Sequence, residues 1–336
     1  MLHAEPRPLP PEQAEAAIAA RRVEWISIPA MGSIIVVMIL ASGTSQAMKA
    51  AWIEDTLALV PPITYLVATR FTRRPPDRHY PYGYGRGLSL AFLCAATALL
   101  VMGTWLLIDS LIPLIQGEPA EIGTVTILGH TLWAGWPMLA ALTWSAIPPI
   151  FLARQKIPLA EKLHEKTLHT DATMNRDDWL TAAAAALGVI GVGLGWGFAD
   201  AVAGALIAAQ VIRDGVEHLR EAVAALADHR PVDVDLDHLD PLPDRVLAAA
   251  AALPGVCAAA VRFREQGRRL AGEVFIVPDG PTVTVTELAR HRAALLALDW
   301  RLVELVVVPV PTLTAEARAP QADDAPRLFA PKGASA

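Results

Sequence analysis

Apolar residues fall into six long stretches set apart by short polar ones. They run roughly over Trp25–Ser42, Thr44–Thr69, Gly87–Ile115, Leu132–Leu152, Trp179–Phe198 and Ala201–Val223. A helix needs about 20 apolar residues, at 1.5 Å each, to cross the hydrocarbon of a bilayer. The pattern therefore predicts six transmembrane helices. Gly43 and its neighbours mark a tight turn between the first two, and Gly195-Trp196-Gly197 joins the last two. The sixth stretch is the least apolar toward its end, where Arg213, Asp214 and Arg220 predict emergence into water.

Beyond Val223 the periodicity changes. A polar linker, 232–242, leads to a predicted helix over Pro243–Leu253, ended by Pro254-Gly255. Strands are predicted over Val256–Glu265 and Leu270–Pro278, turning at Gln266-Gly267. A helix over Val285–Leu298 and a strand over Leu302–Val310 complete an αββαβ order. The residues after Pro311 are rich in Ala, Pro and Asp, a composition that predicts disorder. The first 22 residues read as a flexible tail leading into a short amphipathic helix, with no signal-peptide core. The fold class expected is an α-helical membrane protein with a small α+β domain. Its parts are a tail over 1–22, a six-helix domain over 23–229, a soluble domain over 230–311 and a tail over 312–336.

Composition agrees with this division. Mean hydropathy is +0.39 and only 18% of residues are charged, too apolar for an ordinary soluble chain. A net charge of −6 argues against nucleic acid as a partner. Cys94 and Cys257 fall in different parts of the chain, so no disulfide is expected. Basic residues set the orientation. Arg21 and Arg22 precede the first span; Arg70, Arg73, Arg74, Arg78 and Arg86 follow the second; Arg154, Lys156, Lys162 and Lys166 follow the fourth. The other loops carry no Lys or Arg, so both termini are predicted to be cytoplasmic. A bacterial inner membrane is the expected location.

Candidate chemistry lies where oxygen-bearing side chains meet the apolar spans. Asp171, Asn175 and Asp178 fall within about 60° of one another on a helix of 100° per residue. Glu54 and Asp55 lie inside the second span. Carboxylates are costly in hydrocarbon and usually line an ion path or a buried ion site. Two such spans point to a cation held between helices. The plainer reading leaves Asp171, Asp177 and Asp178 at the polar start of a helix, favoured by its dipole. Lys49, about a turn and a half before Asp55, either snorkels to the interface or pairs with a carboxylate.

Taken together, these features resemble the cation diffusion facilitator family over about residues 25–311. The loop His79-Tyr80-Pro81-Tyr82-Gly83-Tyr84-Gly85-Arg86 is similar to that family's HPFGHGK loop after the second span. The resemblance implies six-span export of a divalent metal, exchange for protons, a homodimer and a ferredoxin-like cytoplasmic domain. It also implies pairs of metal ligands four residues apart on spans two and five. Asp55 matches the second-span Asp, with Ala51 at the partner position. Asp178 matches the fifth-span Asp by its distance to Ala199-Asp200, with Met174 as its partner. A second register takes Asp171 as that Asp and Thr167 as the partner.

Asn175, Asp171 and Glu54 are further candidate oxygen donors, Glu54 only at the site's edge. Such a site suits Mn²⁺ or Fe²⁺, and Zn²⁺ also accepts carboxylates. No resident cofactor is expected; the metal is substrate. The resemblance further implies that Arg86 and Asp228 interlock two protomers at the cytoplasmic ends of their helices. The sequence leaves two other readings open. One is a scaffold that keeps the fold without transport. The other is a metalloenzyme built on His164-Glu165 and His169, but histidines five apart diverge by about 140° on a helix.

Overall fold

The computed structural model describes residues 9–71, 77–81, 84, 86–117, 120–127, 129–235 and 238–313. It divides into two compact units. The larger comprises Ala17–Glu161 and Thr167–Val223. The smaller joins Met1–Ala16 and the short segment Lys162–Lys166 to Ala224–Ala336, within the described residues.

The larger unit is helical: α1 (Pro11–Ala41), α2 (Gln46–Leu57), α3 (Val60–Phe71), α4 (Arg86–Gln116), α5 (Gly135–Leu163), α6 (Lys166–Gly193) and α7 (Ala199–Leu226). Three of these, α1, α4 (over Ala96–Gln116) and α5, are long and apolar enough to cross a membrane by length and composition. Their outward faces are apolar as well. Ile39, Leu40, Val101, Ile108 and Phe151 are exposed, as are Trp25, Trp105, Trp136, Trp144, Trp179 and Trp196. Large apolar side chains facing outward along long helices suit hydrocarbon surroundings, with Trp favoured at the interface.

Four elements differ from the sequence reading. Residues 11–22, expected as a tail leading into a short helix, are helical throughout and continuous with the first span. Pro11 opens this helix, where its missing N–H costs nothing, and Glu12 suits the positive dipole end. The second span is two helices, α2 and α3, parted at Ala58-Leu59. Pro61 and Pro62 explain the break, because neither can donate to a carbonyl four residues back and each ring crowds that carbonyl. The fourth span, α5, starts at Gly135. Leu132, expected inside it, lies in a hairpin of β1 (Thr124–Ile127) and β2 (His130–Trp133). Finally, α6 begins at Lys166, so Asp171, Asn175 and Asp178 share one helix with the apolar run that follows them.

The helices meet over a core of Met31, Ile34, Met38, Met48, Ile53, Leu106, Leu142, Val189, Ile207 and Val211. One buried polar contact fixes the start of α2. Asp200, in the first turn of α7 and fully buried, accepts from Ser45 Oγ at 2.5 Å, Gln46 N at 2.6 Å and Ala47 N at 3.3 Å. Ser45 in turn caps α2 by accepting from Met48 N at 3.1 Å. A carboxylate from another helix thus satisfies donors that α2 cannot satisfy itself.

The smaller unit has the expected αββαβ order: α8 (Leu242–Ala251), β3 (Val256–Gln266), β4 (Arg269–Pro278), α9 (Val285–Leu296) and β5 (Leu302–Pro309). Its sheet runs β3-β4-β5, the first pair antiparallel and the second parallel. Leu242, Val246, Phe263, Val274, Ile276, Leu295 and Leu302 form its core. Thr284 and Glu287 make a reciprocal capping box at the start of α9. The disordered tail expected after Pro311 lies outside the described residues from 314 onward, as do Tyr82, Gly83 and Gly85 of the loop after α3.

Candidate functional site

Glu54 is the side chain that ties α2 to α6. Its Oε1 accepts from Thr181 Oγ1 at 3.2 Å. Thr181 stands one helical turn beyond Asp178 on α6, and Asp178 is half-buried. Glu54 Oε2 is buried with no hydrogen-bond donor. Asp55 is only 9% exposed, and its Oδ2 is likewise buried without a donor. The charges of Asp55 and of Asp214 on α7 both act on Glu54. Sequence spacing put Glu54 at the edge of the site, yet it is Glu54 that makes the hydrogen bond between the two helices. Thr181 carried no sequence signal beyond being polar in an apolar helix, and Asp214 was read only as a sign that the sixth stretch emerges into water.

Asp171 and Asn175 sit elsewhere in the same unit. Asp171 is buried and ion-paired with Lys156 of α5, which is itself fully buried. The same Lys156 Nζ lies 3.1 Å from Glu24 Oε2 on α1. Asn175 Nδ2 donates to Asp171 Oδ1 at 3.4 Å. This cluster joins α1, α5 and α6, and an ammonium group already occupies the Asp171 carboxylate. Lys156 is one of the basic residues that the sequence assigns to a cytoplasmic loop; it lies inside α5 instead. The side chain of Asp177 is outside the described residues.

Two open questions about α2 and α6 are answered by contacts. Lys49 pairs with Asp109 of α4 at 2.7 Å and lies 4.7 Å from the Trp105 ring centroid. It neutralises neither Glu54 nor Asp55. Met174, at the partner position of Asp178, lines a small cavity with Leu57, Val60, Leu99 and His218 of α7. Among the described residues, no three His, Cys, Asp or Glu side chains gather closely enough to hold a metal ion. The two orphaned oxygens of Glu54 and Asp55 nevertheless fit a cation. Buried anionic oxygens without donors need a positive charge or a proton beside them.

Between α5 and α6 the chain turns through His164, at φ 50°. His164 and His169 therefore do not stand on one regular helix, which removes the basis of the metalloenzyme motif. Within the smaller unit, His164 Nε2 lies 3.3 Å from Asp240 Oδ2, and Arg301 Nη1 donates to the same oxygen at 2.7 Å. Burial acts to raise the Asp240 carboxyl, but the close approach of His164 and the bonds from Leu242 N and Arg301 outweigh it and bring it down to about 2. Lys166 pairs with Glu265, and Glu165 Oε2 lies 3.3 Å from Arg268 Nε. Burial pushes Glu165 upward, against the pull of Arg268, His164 and Lys166. Asp77, in the loop after α3, is held down by bonds from Tyr84 and from Tyr80 N and His79 N.

Most of the helical unit matches one known domain. Residues 25–227 fit the cation efflux transmembrane domain. This chain belongs to the cation efflux family. Its relatives are distant. It is 24% identical over 201 residues to the manganese efflux system protein MneP of Bacillus subtilis, covering 58% of this chain and 63% of that protein. It is 25% identical over 170 residues to the magnetosome protein MamB of Magnetospirillum gryphiswaldense, covering 51% and 53%. A probable cation efflux system protein of Mycobacterium tuberculosis is 27% identical over 284 residues, covering 83% and 78%. The matches to MneP and MamB thus span between half and two thirds of those proteins. Membership makes this chain a membrane protein of a cation transporter family.

Proposed function

We propose that this chain exports a divalent metal ion across the membrane in exchange for protons. The observation that carries the reading is the Glu54–Thr181 contact. It brings Glu54 to α6 one turn beyond Asp178, and Glu54 and Asp55 each keep a buried carboxylate oxygen that lacks a donor. Metal and protons compete for the same carboxylate oxygens, so loading one releases the other. Glu54, Asp55 and Asp178 are the ligands proposed. Asp171 and Asn175 are left to the Lys156 cluster.

Six membrane passes follow if the broken α2–α3 pair counts as one, with both termini cytoplasmic and the smaller unit as the ferredoxin-like cytoplasmic domain. A break in a membrane helix near a substrate site frees backbone carbonyls for coordination, and α2 breaks one turn after Asp55. Oxygen donors without imidazole favour Mn²⁺ or Fe²⁺ over Zn²⁺ as substrate. A relative named for manganese efflux agrees with that choice. A homodimer interlocked through Arg86 and Asp228 is part of the same proposal. The full chain in sealed liposomes tests the ion. Mn²⁺ or Fe²⁺ should compete with Zn²⁺ at equal concentration; transport of Zn²⁺ alone would overturn the oxygen-donor reading.

A further inference from the structure

The Lys156 cluster carries an imbalance. Two carboxylates, Glu24 and Asp171, meet one ammonium group, Lys156. Glu24 and Lys156 are fully buried, and Asp171 is 2% exposed. Among the described residues, Lys156 is the only cation at ion-pair distance from either carboxylate. Asn175 adds one neutral donor to Asp171, from α6. On α1 itself, Arg21 lies a turn before Glu24 and makes no ion pair with it. Fully ionised, the cluster would hold one uncompensated negative charge away from water, which a protein interior does not tolerate.

The geometry shows how the charge is met. Neither Glu24 oxygen receives a hydrogen bond from an aligned donor. Yet both carboxylates converge on the one Lys156 Nζ, Glu24 Oε2 at 3.1 Å and Asp171 Oδ2 beside it. Carboxylate oxygens are acceptors only, so two of them gathered on one ammonium group away from water call for a proton between them. We propose that Glu24 and Asp171 share one proton beside Lys156, forming a proton-binding site separate from the Glu54, Asp55 and Asp178 metal site. Glu24, Lys156 and Asp171 come from α1, α5 and α6, and α6 also carries Asp178. A movement of α6 relative to α1 and α5 would part the two carboxyls and release the proton. The site would then couple proton movement to the helix that binds metal. That role rests on the exchange reading above; the shared proton does not.

Glu24→Gln tests both parts, because the amide copies the shape and neutrality of the protonated acid and should fold. Difference infrared spectroscopy of the full chain should show a protonated-carboxyl band near neutral pH that Glu24→Gln removes. Retention of the band in the variant, or its absence in the wild type, would overturn the site. In liposomes with a pH gradient, Glu24→Gln should keep Mn²⁺ affinity within about threefold while losing most of the acceleration that the gradient gives. Full gradient response in the variant overturns the coupling role. A wild type with no gradient response overturns proton exchange itself and leaves the infrared result standing. Acceleration by a sodium gradient that depends on Glu24 would show that a metal cation, not a proton, fills the site.

Discussion

At the scale of single residues, charge placement governs both units. Asp240 illustrates it outside the membrane. It touches His164, Arg301 and Leu242 N, and these hold its carboxyl at about 2. A folded-state value below the ordinary carboxylate value of about 3.9 stabilises the native form above that pH. The contribution fades as pH falls through the folded value. Stability of the smaller unit should therefore drop between about pH 4 and about pH 2. Asp240→Asn should flatten that drop and lower stability at neutral pH, since Arg301 would face no charge. Hydrogen exchange of β3–β5 in the intact chain checks both effects; an unchanged acid profile in the variant would contradict the assignment.

Residue-scale contacts were also the least legible in the sequence. Carboxylates within apolar spans stood out, so Glu54, Asp55, Asp171 and Asp178 could be picked without coordinates. Which of them would be neutralised could not. Lys156 reads as a loop cation and proves to be a buried partner of Asp171 and Glu24. Lys49 finds Asp109, sixty residues away. Pairing between distant helices depends on packing, and no periodicity encodes it.

Among the elements, the αββαβ order was readable because strand alternation and helix periodicity are local. The hairpin of β1 and β2 was not, because Leu132 and Trp133 extend an apolar run without interruption. The α2–α3 break had a visible signal in Pro61-Pro62. The start of α2 had one in Gly43 and in its own cap, Ser45, but the acceptor that Asp200 adds from α7 had none. Asp200→Ala would leave Gln46 N, Ala47 N and the Ser45 hydroxyl without their buried acceptor. The expected cost is about 2 kcal/mol or more, seen as a lower melting temperature of the full chain in detergent. An unchanged melting temperature would show that the cap is not needed. Either way α2 carries Glu54 and Asp55, so its anchoring bears on the site.

At the scale of the whole molecule, family membership supplies the transmembrane domain, and the proposed homodimer adds a second level of organisation. Arg86 opens α4, and Asp228 follows α7 with a left-handed φ of 54°. Reversing either charge alone should weaken dimerisation, and the double reversal should restore part of it. Cross-linking of the full chain in membranes reads this out. Single reversals that behave like wild type, or a double that is only the sum of the singles, would remove the interlock.

Glu54, Asp55 and Asp178 are proposed to form the metal path between α2 and α6. Metal uptake by sealed liposomes containing the full chain measures it most directly. Wild type should move Mn²⁺. Glu54→Gln and Asp178→Asn should each lose at least tenfold, about 1.4 kcal/mol of transition-state stabilisation, while Asp109→Asn, on the Lys49 pair, should lose far less. Wild-type rates in both Glu54→Gln and Asp178→Asn would contradict the account.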